Sequence, residues 1–359
     1  MTDKRQTLTY VSMCVAGLQE VAEEMLRQSV TLSGSPTLMD GLLVYSTTAS
    51  PDQIRRLDFF SNSFLLLRSL TPVSQPQDRM DELAELAAHL PIEAKEISAL
   101  TQSGHLKQGQ TFRIVLSDEN HLVSARPDTM RRLEAAVSQT AGLNLRADAH
   151  RPDHEIWLLR RREGTAYYLF RLTRRTTSRQ LTAGSLRPEI ALMMCHLSQP
   201  RPDDIFLDPF AGYGTIPLAR LNFGPSQLVF FADIDEAMVR GFRQNHRGAA
   251  IRRQIITKQM DALQPDFFED GFVSTIVTDP PWGYYESMNQ MDEFYRQMLN
   301  GFRRIMRRGG RLVLLTARKD EFLAAAETFS LQFEQLRTYH ILVSGKKAAI
   351  YVLQKKESV

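Results

Sequence analysis

Apolar residues in the first 72 positions recur with periods that alternate between those of strands and helices. Alternating or continuous apolar runs predict strands, whereas apolar residues three and four positions apart predict helices. The predicted strands are Thr7–Ala16, Gly41–Ser46 and Ser63–Leu70. The predicted helices are Leu18–Gln28 and Pro51–Phe59. This order predicts a small ferredoxin-like domain over residues 1–72.

A second group of strands and helices follows between residues 78 and 172 and contains no glycine-rich loop. The predicted helices are Met80–His89, Ile92–Thr101 and Thr129–Thr140. The predicted strands are Thr111–Leu116, Glu155–Arg160 and Thr165–Leu172, and the last two form a hairpin. Residues 173–184 are polar and rich in arginine, which predicts a linker.

From Ser185 onwards strands and helices alternate regularly, which predicts a parallel sheet with helices on both faces. The predicted strands are Asp204–Leu207, Leu228–Ala232, Gln254–Thr257, Ser274–Thr278, Arg311–Thr316 and Ala348–Leu353. The predicted helices include Thr215–Leu221, Glu236–Asn245 and Met291–Arg307. We therefore predict an α/β domain over residues 185–359, whose final strand has no glycine-rich turn before it.

Composition and cysteine content exclude several classes of protein. The 359 residues are 43% hydrophobic and 24% charged, which is typical of a soluble globular protein. The chain has no run of 18 apolar residues, and its N-terminus lacks the apolar core of a signal peptide. The two cysteines are far apart, and the eight histidines follow no metal-binding spacing. We therefore expect no membrane span, no metal and a cytoplasmic location.

The net charge of +3 conceals two basic clusters. Residues 151–184 contain eight arginines and three acids, and residues 303–319 contain seven basic residues and no acid. Such clusters suit a phosphate-binding surface, although a solvated surface has the same composition. The candidate phosphate contacts in the first cluster are Arg160, Arg161, Arg162, Arg174, Arg175 and Arg179. The alternative for the 160–162 run is a strand edge with solvated charges.

The segment 208–217 (DPFAGYGTIP) follows an apolar strand and opens a helix. Gly212 and Gly214 allow the backbone to approach a ligand closely. The dinucleotide fingerprint requires a third glycine where Pro217 stands. Asp208 adds a negative charge that repels a pyrophosphate and attracts a cationic group. The loop therefore favours a cofactor with an ammonium and a sulfonium over a nicotinamide dinucleotide.

Acidic residues also follow the next two predicted strands. Asp233, 25 residues after Asp208, is placed to bind ribose hydroxyls, whereas Asp235 is expected to cap the helix that begins near Glu236. Asp261 follows the third strand and can accept a hydrogen bond from an adenine amino group. Each acid alone is more often a cap or turn residue, but three at the ends of consecutive strands favour a binding site.

The fourth predicted strand of this domain runs into the segment 278–283 (TDPPWG). A Pro-Pro pair stiffens a loop and leaves carbonyls without competing N–H partners. Asp279 and the Pro280 carbonyl can accept both N–H donors of an exocyclic amino group, and Trp282 offers a flat face for a base. This chemistry suits any planar amino nitrogen, in an adenine, a guanine or a glutamine side chain.

The two loops together resemble a known family. The D-P-F-x-G-x-G pattern of residues 208–214, followed by D-P-P-W at 279–282, is similar to the amino-methyltransferases of the Rossmann-like S-adenosylmethionine class. Within that class the chain resembles RNA methyltransferases that carry an N-terminal ferredoxin-like domain and a THUMP domain. Residues 185–191 (SLRPEIA) and 10–27, centred on AGLQE, carry this closer resemblance.

The resemblance implies a seven-stranded, mostly parallel sheet over residues 185–359, with the last strand antiparallel. It implies a THUMP-like RNA-binding domain over residues 78–172, a linker over 173–184 and S-adenosylmethionine as cofactor. The implied product is N2-methylguanosine in tRNA, whose 3′ end and acceptor stem the THUMP-like domain contacts. We also expect a monomer.

Carried over residue by residue, the resemblance assigns candidate roles. The candidate catalytic residues are Asp279, Pro280, Pro281 and Trp282. The candidate cofactor-binding residues are Arg187, Pro188, Asp208, Pro209, Ala211, Gly212, Gly214, Thr215, Asp233, Ile234, Asp261 and Ala262. The chain departs from the family's usual pattern at Tyr213, where relatives often have a small residue, and at Ala219, where they often have glutamate. The alternatives are a ribosomal RNA substrate and a catalytically silent RNA-binding protein of the same fold.

Overall fold

The structure is a computed structural model that describes residues 6–71, 79–90, 92–162, 164–173, 185–248, 251, 254–283 and 291–357. These residues form two compact units. The first contains the described residues of Met1–Cys14 and Leu26–Thr176, and the second those of Val15–Met25 and Thr177–Val359. In the described parts of the chain, no helix is both long and apolar enough to cross a membrane.

The first unit is built on strands rich in aromatic and branched apolar residues, which suit a pleated, packed surface. Its strands are β1 (Leu8–Met13), β2 (Thr37–Met39), β3 (Leu42–Thr47), β4 (Asn62–Leu70), β5 (Thr111–Asp118), β6 (His121–Val123), β7 (Arg146–Ala147), β8 (His154–Arg160) and β9 (Ala166–Arg171). The helices in this part of the sequence are α1 (Gln19–Ser29), α2 (Pro51–Arg55), α3 (Arg79–His89), α4 (Ala94–Gln102) and α5 (Pro127–Ser138).

The strands of the first unit form one sheet in the order β2-β3-β1-β4-β9-β8-β5-β6, with β7 beside β5. Because β4 pairs antiparallel with β9, the two N-terminal segments predicted as separate domains share a single sheet. A pairing between strands so far apart in sequence leaves no local pattern from which it could be predicted. The predicted boundaries at residues 72, 78 and 172 remain a proposal.

The second unit contains the regular alternation of strands and helices that the sequence predicts. Its strands are β10 (Ile205–Asp208), β11 (Leu228–Asp233), β12 (Ile255–Gln259), β13 (Val273–Thr278), β14 (Met306–Thr316), β15 (Phe333–Val343) and β16 (Lys346–Lys355). Its helices are α6 (Pro188–Leu197), α7 (Thr215–Arg220), α8 (Glu236–Asn245), α9 (Met291–Ile305) and α10 (Lys319–Thr328).

These strands form a seven-stranded sheet in the order β12-β11-β10-β13-β14-β16-β15. The pairs from β12 to β14 are parallel, and β16 is antiparallel to both of its neighbours. The structure therefore confirms the mostly parallel sheet with an antiparallel last strand. The order reverses at β10, which places a crevice for ligands between the carboxyl ends of β10 and β13.

The sequence did not predict strand β15 or the turn that follows it. Most of its residues are exposed or only partly buried, because β15 lies at the edge of the described sheet beside β16. A weak apolar pattern of this kind does not distinguish a strand from a loop. Ser344 and Gly345, both with positive φ, form the tight turn between β15 and β16, so the final strand is preceded by a turn that contains one glycine and is not glycine-rich.

The core of the second unit lies between the sheet and the apolar face of α9. Phe294, Tyr295, Met298 and Phe302 recur at helical spacing and are buried against the sheet. Each side chain of this size contributes roughly 1.5–3 kcal/mol when fully buried. This packing fixes the central strands and thereby the positions of the loops at their carboxyl ends.

Candidate active site

Three acidic residues meet at the carboxyl edge of the central strands. Asp208 is the last residue of β10, Asp233 is the last residue of β11, and Asp279 directly follows β13. Because β10 lies between β11 and β13 and runs parallel to both, its end adjoins the ends of both neighbours. The sequence prediction that acids from successive strands gather at one edge therefore agrees with the topology.

Asp208 is placed differently from what the sequence suggested. Its carboxyl group is buried, with 1% of the residue exposed, and accepts a hydrogen bond of 2.8 Å from Thr278 Oγ1. Burial raises the pKa of Asp208 well above its usual range, and the carboxylates of Asp279 and Asp233 raise it further. Asp208 therefore fastens the end of β10 to the end of β13, rather than standing as an exposed charge beside the loop.

The glycine loop between β10 and α7 depends on the left-handed conformation of two residues. Gly214 has φ +80°, and a Cβ placed there would lie 2.3 Å from the Phe242 ring. That ring is held by stacking on Phe231, with the ring centroids 4.5 Å apart. Gly212 has φ +50°, but open space lies over the position of its missing Cβ. Gly214 is thus required by packing, whereas Gly212 leaves room for a ligand.

Asp233 joins the glycine loop to β11. Its Oδ2 accepts a hydrogen bond of 2.8 Å from the Gly212 N–H, and its Oδ1 accepts one of 2.9 Å from the Asp235 N–H. Burial raises the pKa of the Asp233 carboxyl. Asp235 caps α8, as predicted, because its Oδ1 accepts a hydrogen bond from the Ala237 N–H at 2.7 Å. The next apolar side chain, Ile234, is 63% exposed at this edge.

The remaining candidate cofactor residues surround the same edge. Asp261 forms a turn after β12, in which its Oδ1 accepts a hydrogen bond of 2.9 Å from the Leu263 N–H. Pro209, Ala211 and Ala262 are buried, while Thr215 begins α7 and is partly buried. Pro209, Ala211 and Ala262 thus contribute to the backbone of the loops, whereas the polar contacts described above are made by Asp208, Asp233 and Asp261.

Arg187 and Pro188 form the first turn of α6, where Pro188 occupies a position that needs no N–H partner. The Arg187 guanidinium lies 3.5 Å from Glu189. Its Nε is buried and has no acceptor among the residues the structure describes. A buried donor of this kind is costly unless a partner satisfies it, so Arg187 can bind an anionic group such as a carboxylate.

The D-P-P-W loop brings its own acid and aromatic residue together. The indole Nε1 of Trp282 donates a hydrogen bond of 3.0 Å to Asp279 Oδ1. Desolvation raises the pKa of Asp279 to about 7, although the bond from Trp282 acts in the opposite direction. Pro280 is buried and Pro281 is exposed. Asp279 therefore can exchange a proton near neutral pH, and among the residues that the structure describes its Oδ2 is open to a further donor.

Sequence reasoning missed a residue that contacts this loop. Arg318 donates a hydrogen bond of 2.8 Å from Nε to the Trp282 carbonyl. It lies just beyond the carboxyl end of β14, next to β13 in the sheet. Its position two residues after a predicted strand was a signal that Arg318 lies at the carboxyl edge of the sheet. From the sequence it was included only among the basic residues of the 303–319 cluster.

The candidate RNA-contacting arginines of the first unit differ among themselves. Arg160 is buried and ion-paired with Asp118 and Glu119, at 2.5 and 2.9 Å. Arg161 is also buried and donates hydrogen bonds to Asn120 Oδ1 and to the Asp40 carbonyl. We do not carry a phosphate-binding role over to these two, because their guanidinium groups already serve the fold.

Arg162, in contrast, is exposed. Arg160 is the last residue of β8 and Arg161 follows it, and both are buried, whereas Arg162 lies in the turn before β9. The other three candidates of this cluster, Arg174, Arg175 and Arg179, lie outside the described residues.

The chemistry of the edge fits a cationic, partly apolar ligand. Burial and neighbouring carboxylates raise the pKa values of Asp208 and Asp233, and a nearby positive charge would favour their ionised forms. The open space over Gly212 and the exposed Ile234 add room and an apolar surface. S-adenosylmethionine carries an ammonium, a sulfonium and an adenine ring, so these residues fit it. No group of three or more metal-ligating side chains occurs among the described residues.

Comparison with known proteins supports this assignment. The family described as "RMKL-like, methyltransferase domain" matches residues 175–347. A tRNA (guanine(6)-N2)-methyltransferase of Thermus thermophilus is 30% identical over 236 residues, which cover 64% of this chain and 69% of that protein. A tRNA (guanine(10)-N(2))-methyltransferase of Saccharomyces cerevisiae is 33% identical over 116 residues, covering 29% of this chain and 25% of that protein.

The fold also matches that of a solved structure. The crystal structure of TrmN from Thermus thermophilus superposes with a TM-score of 0.76 at 23% identity, covering 98% of this chain and 100% of that one. The match at 30% identity extends over more than two thirds of the Thermus enzyme. The chain therefore belongs to the family of S-adenosylmethionine-dependent RNA guanine-N2 methyltransferases.

Proposed function

We propose that this protein methylates the exocyclic N2 of a guanosine in tRNA, with guanosine 6 as the first position to examine. The observation that carries the proposal is the pair formed by Asp279 and Trp282, which places a carboxylate and an aromatic residue together beside the glycine loop. The relative that spans most of the chain is, by its name, specific for guanine 6 of tRNA.

In this proposal the catalytic loop holds the amino group of the target guanine. That group has two N–H donors, and Asp279 Oδ2 and the Pro280 carbonyl are the acceptors. A guanine stacked in a helix is out of reach of the loop, so the base must be flipped out and received by an aromatic surface, for which Trp282 is the candidate. Holding the nitrogen still in this way supplies much of the rate gain, because reaction depends on alignment.

S-adenosylmethionine supplies a methyl group activated by its sulfonium charge. Arg187 is the candidate to bind its carboxylate, Asp233 its ribose, and Asp261 its adenine amino group. Gly212 leaves the space that such a ligand needs. As the guanine nitrogen forms its new N–C bond, the bond between the sulfonium sulfur and the methyl carbon would break and leave a neutral thioether. The nitrogen must also release one proton, and Asp279, with a pKa of about 7, can accept it at neutral pH.

Recognition of the RNA is the proposed role of the first unit, whose residues 78–172 we interpret as a THUMP-like domain. Exposed Arg162 is the candidate phosphate contact in the described part of the chain, and Arg174, Arg175 and Arg179 complete the proposed set. We further propose that the protein acts as a monomer in the cytoplasm, a reducing compartment that suits its buried, free Cys14 and Cys195.

The test is incubation of the purified protein with methyl-labelled S-adenosylmethionine and unmodified tRNA, followed by nucleoside analysis. Ribosomal RNA and DNA are assayed in parallel, and a tRNA with adenosine at position 6 is the matched substrate control. Label recovered as N2-methylguanosine, and lost with that control, supports the proposal and its position. Label in another nucleic acid overturns the substrate, while cofactor binding without any labelled product supports a silent RNA-binding protein.

Salt and charge provide a separate test of the RNA surface. Neutralising one phosphate contact lowers affinity and reduces the salt dependence of binding by roughly one counterion. We expect Arg162→Ala, and the pair Arg174→Ala and Arg175→Ala, to weaken tRNA binding in this way. Arg131→Ala, an exposed arginine paired with Asp128 on α5, is the control. Equal salt slopes for all variants and the wild type would contradict the proposed surface.

A further inference from the structure

The basic cluster at residues 303–319 is not one surface. Its first four members lie around the end of α9 and the start of β14, whereas Arg318 lies beyond the far end of that strand. Eleven residues of β14 at about 3.3 Å each separate these ends by roughly 36 Å. Arg304, for example, donates to the Phe268 carbonyl and pairs with Asp270 at 3.0 Å. Arg318 therefore needs an explanation of its own.

Arg318 is held in place by buried polar groups at the carboxyl end of β14. Its main-chain N–H donates a hydrogen bond of 2.9 Å to Thr316 Oγ1. Thr316 Oγ1 in turn lies 2.7 Å from the Tyr295 hydroxyl, and both of these residues are 0% exposed. The guanidinium also lies 3.5 Å from Glu321 on α10. The position of the Arg318 backbone is thus set by the sheet and by α9.

From this position Arg318 supports the D-P-P-W loop. Pro280 and Pro281 have no N–H groups, so the main chain of the loop can be hydrogen-bonded there through its carbonyls and not through donors of its own. Arg318 Nε supplies such a donor to the Trp282 carbonyl at 2.8 Å. The side chain of the same residue donates to Asp279. Trp282 is therefore bound at both ends, by Arg318 through its main chain and by Asp279 through its indole.

We propose that Arg318 is a positioning residue of the methyl transfer, one that orients Trp282 and, through it, the Asp279 carboxylate. This inference rests on the proposed role of the Asp279–Trp282 pair. Loss of the Arg318 hydrogen bond frees the loop while the glycine loop and its acids keep their contacts. The rate of transfer then falls, and the affinity for the cofactor does not.

The experiment compares Arg318→Gln and Arg318→Lys with the wild type. The control is Arg296→Gln, which removes an exposed arginine that pairs with Asp292 within α9. Misplacement of reacting groups by about 1 Å costs up to roughly a hundredfold in rate. We expect a ten- to hundredfold lower kcat for Arg318→Gln and a smaller loss for Arg318→Lys, which keeps a donor. The Kd of S-adenosylmethionine should stay within about twofold of wild type.

A spectroscopic measurement tests the same idea without activity. The chain has two tryptophans, so Trp157→Phe leaves Trp282 as the only indole fluorophore. In that background, Arg318→Gln should increase quenching of Trp282 by acrylamide, and Arg296→Gln should not. If Arg318→Gln does not fold, the Lys variant carries the same comparison with smaller changes.

The outcomes separate this inference from the proposed function. A kcat within twofold of wild type for Arg318→Gln, or unchanged quenching, overturns the positioning role. A parallel loss of cofactor affinity and kcat also overturns it, because the effect would then be on the whole domain. A wild-type protein that methylates no guanosine contradicts the proposed function, while the quenching result still decides whether Arg318 holds the loop.

Discussion

The two loops at the carboxyl edge of the sheet are held by different means. The glycine loop is fixed by its own backbone, because Gly214 adopts a left-handed conformation against the Phe242 ring and Gly212 donates to Asp233. The D-P-P-W loop has two residues without N–H groups and is held by side chains, through the bonds of Trp282 to Asp279 and Arg318. The comparison teaches that the first loop is held through its main chain, whereas the second is held through side chains, one of which lies beyond the end of the neighbouring strand.

The largest effect expected from this comparison is the loss of turnover in Asp279→Ala. Removing the acceptor and proton-accepting group should lower kcat by roughly 10²–10⁴-fold, while the Kd of S-adenosylmethionine changes little. Single-turnover rates and cofactor titration measure the two quantities separately. Activity within a few-fold of wild type would show that the second loop does not carry the chemistry.

The pH dependence of the reaction examines the same carboxylate without removing it. Only ionised Asp279 can take up the proton that the amino nitrogen releases, so with a pKa of about 7 we expect kcat at pH 6 to be roughly a tenth of its plateau. The hydrogen bond from Trp282 lowers this pKa, so Trp282→Phe should move the acid limb to higher pH. A profile that is flat between pH 5.5 and 8 in both proteins would contradict this role.

The same raised pKa affects stability in the opposite sense to a salt-bridged carboxylate. Between about pH 4 and pH 7 the folded protein holds the Asp279 proton more tightly than the unfolded chain does. The contribution of this group to the free energy of unfolding therefore falls as pH rises through that window. Asp279→Asn should remove that part of the pH dependence, as measured by denaturant unfolding at several pH values.

The glycine loop is expected to respond to substitution through stability first. Gly214→Ala forces a Cβ into the Phe242 ring in a strained conformation, which should cost roughly 1–3 kcal/mol in the free energy of unfolding. Gly212→Ala meets open space and should cost about 1–2 kcal/mol through backbone strain alone, yet lower cofactor affinity. Denaturant unfolding and cofactor titration test this pair. Equal effects of both variants on cofactor affinity would contradict the assignment of Gly214 to packing and of Gly212 to the space for the ligand.

The smallest effect concerns the support beneath that loop. Asp235 caps α8, the helix that presents Phe242 to Gly214. Replacing an N-cap acid with alanine costs about 1 kcal/mol, so Asp235→Ala should lower stability by that amount and leave kcat within twofold. A large loss of turnover would instead assign Asp235 a direct part in the site.

The contrast between the loops also explains what the sequence could predict. The strand–loop–helix order around residues 208–217, the acids at strand ends and the Asp235 cap are local patterns, and each was predicted from neighbouring residues. Arg318 was not singled out, because its contact with Trp282 follows from the pairing of β13 with β14. Arg160 and Arg161 were assigned to the surface because a run of arginines gives no sign that they are buried, Arg160 beside Asp118 at the end of β5 and Arg161 beside Asn120 in the turn that follows.

Burial accounts for the remaining differences. The pattern around Asp208 indicates a strand end, but not that Thr278 on the next strand covers its carboxyl group. Strand β15 was missed for the converse reason, since an edge strand exposes the side chains whose burial would reveal it. In both cases the burial of the side chains depends on which strands lie beside them in the sheet, and the local sequence does not reveal that.

The meeting of Asp208, Asp233 and Asp279 has a consequence for the heat of ligand binding. Burial raises the pKa values of all three carboxyl groups, and for Asp279 the value of about 7 means that part of the population holds a bound proton near neutral pH when no cation is nearby. A positively charged ligand displaces those protons into the buffer, whereas a neutral thioether analogue displaces fewer. The observed enthalpy of cofactor binding therefore depends on the ionisation enthalpy of the buffer. The slope of this dependence gives the number of protons that the carboxyl groups release when the cofactor binds.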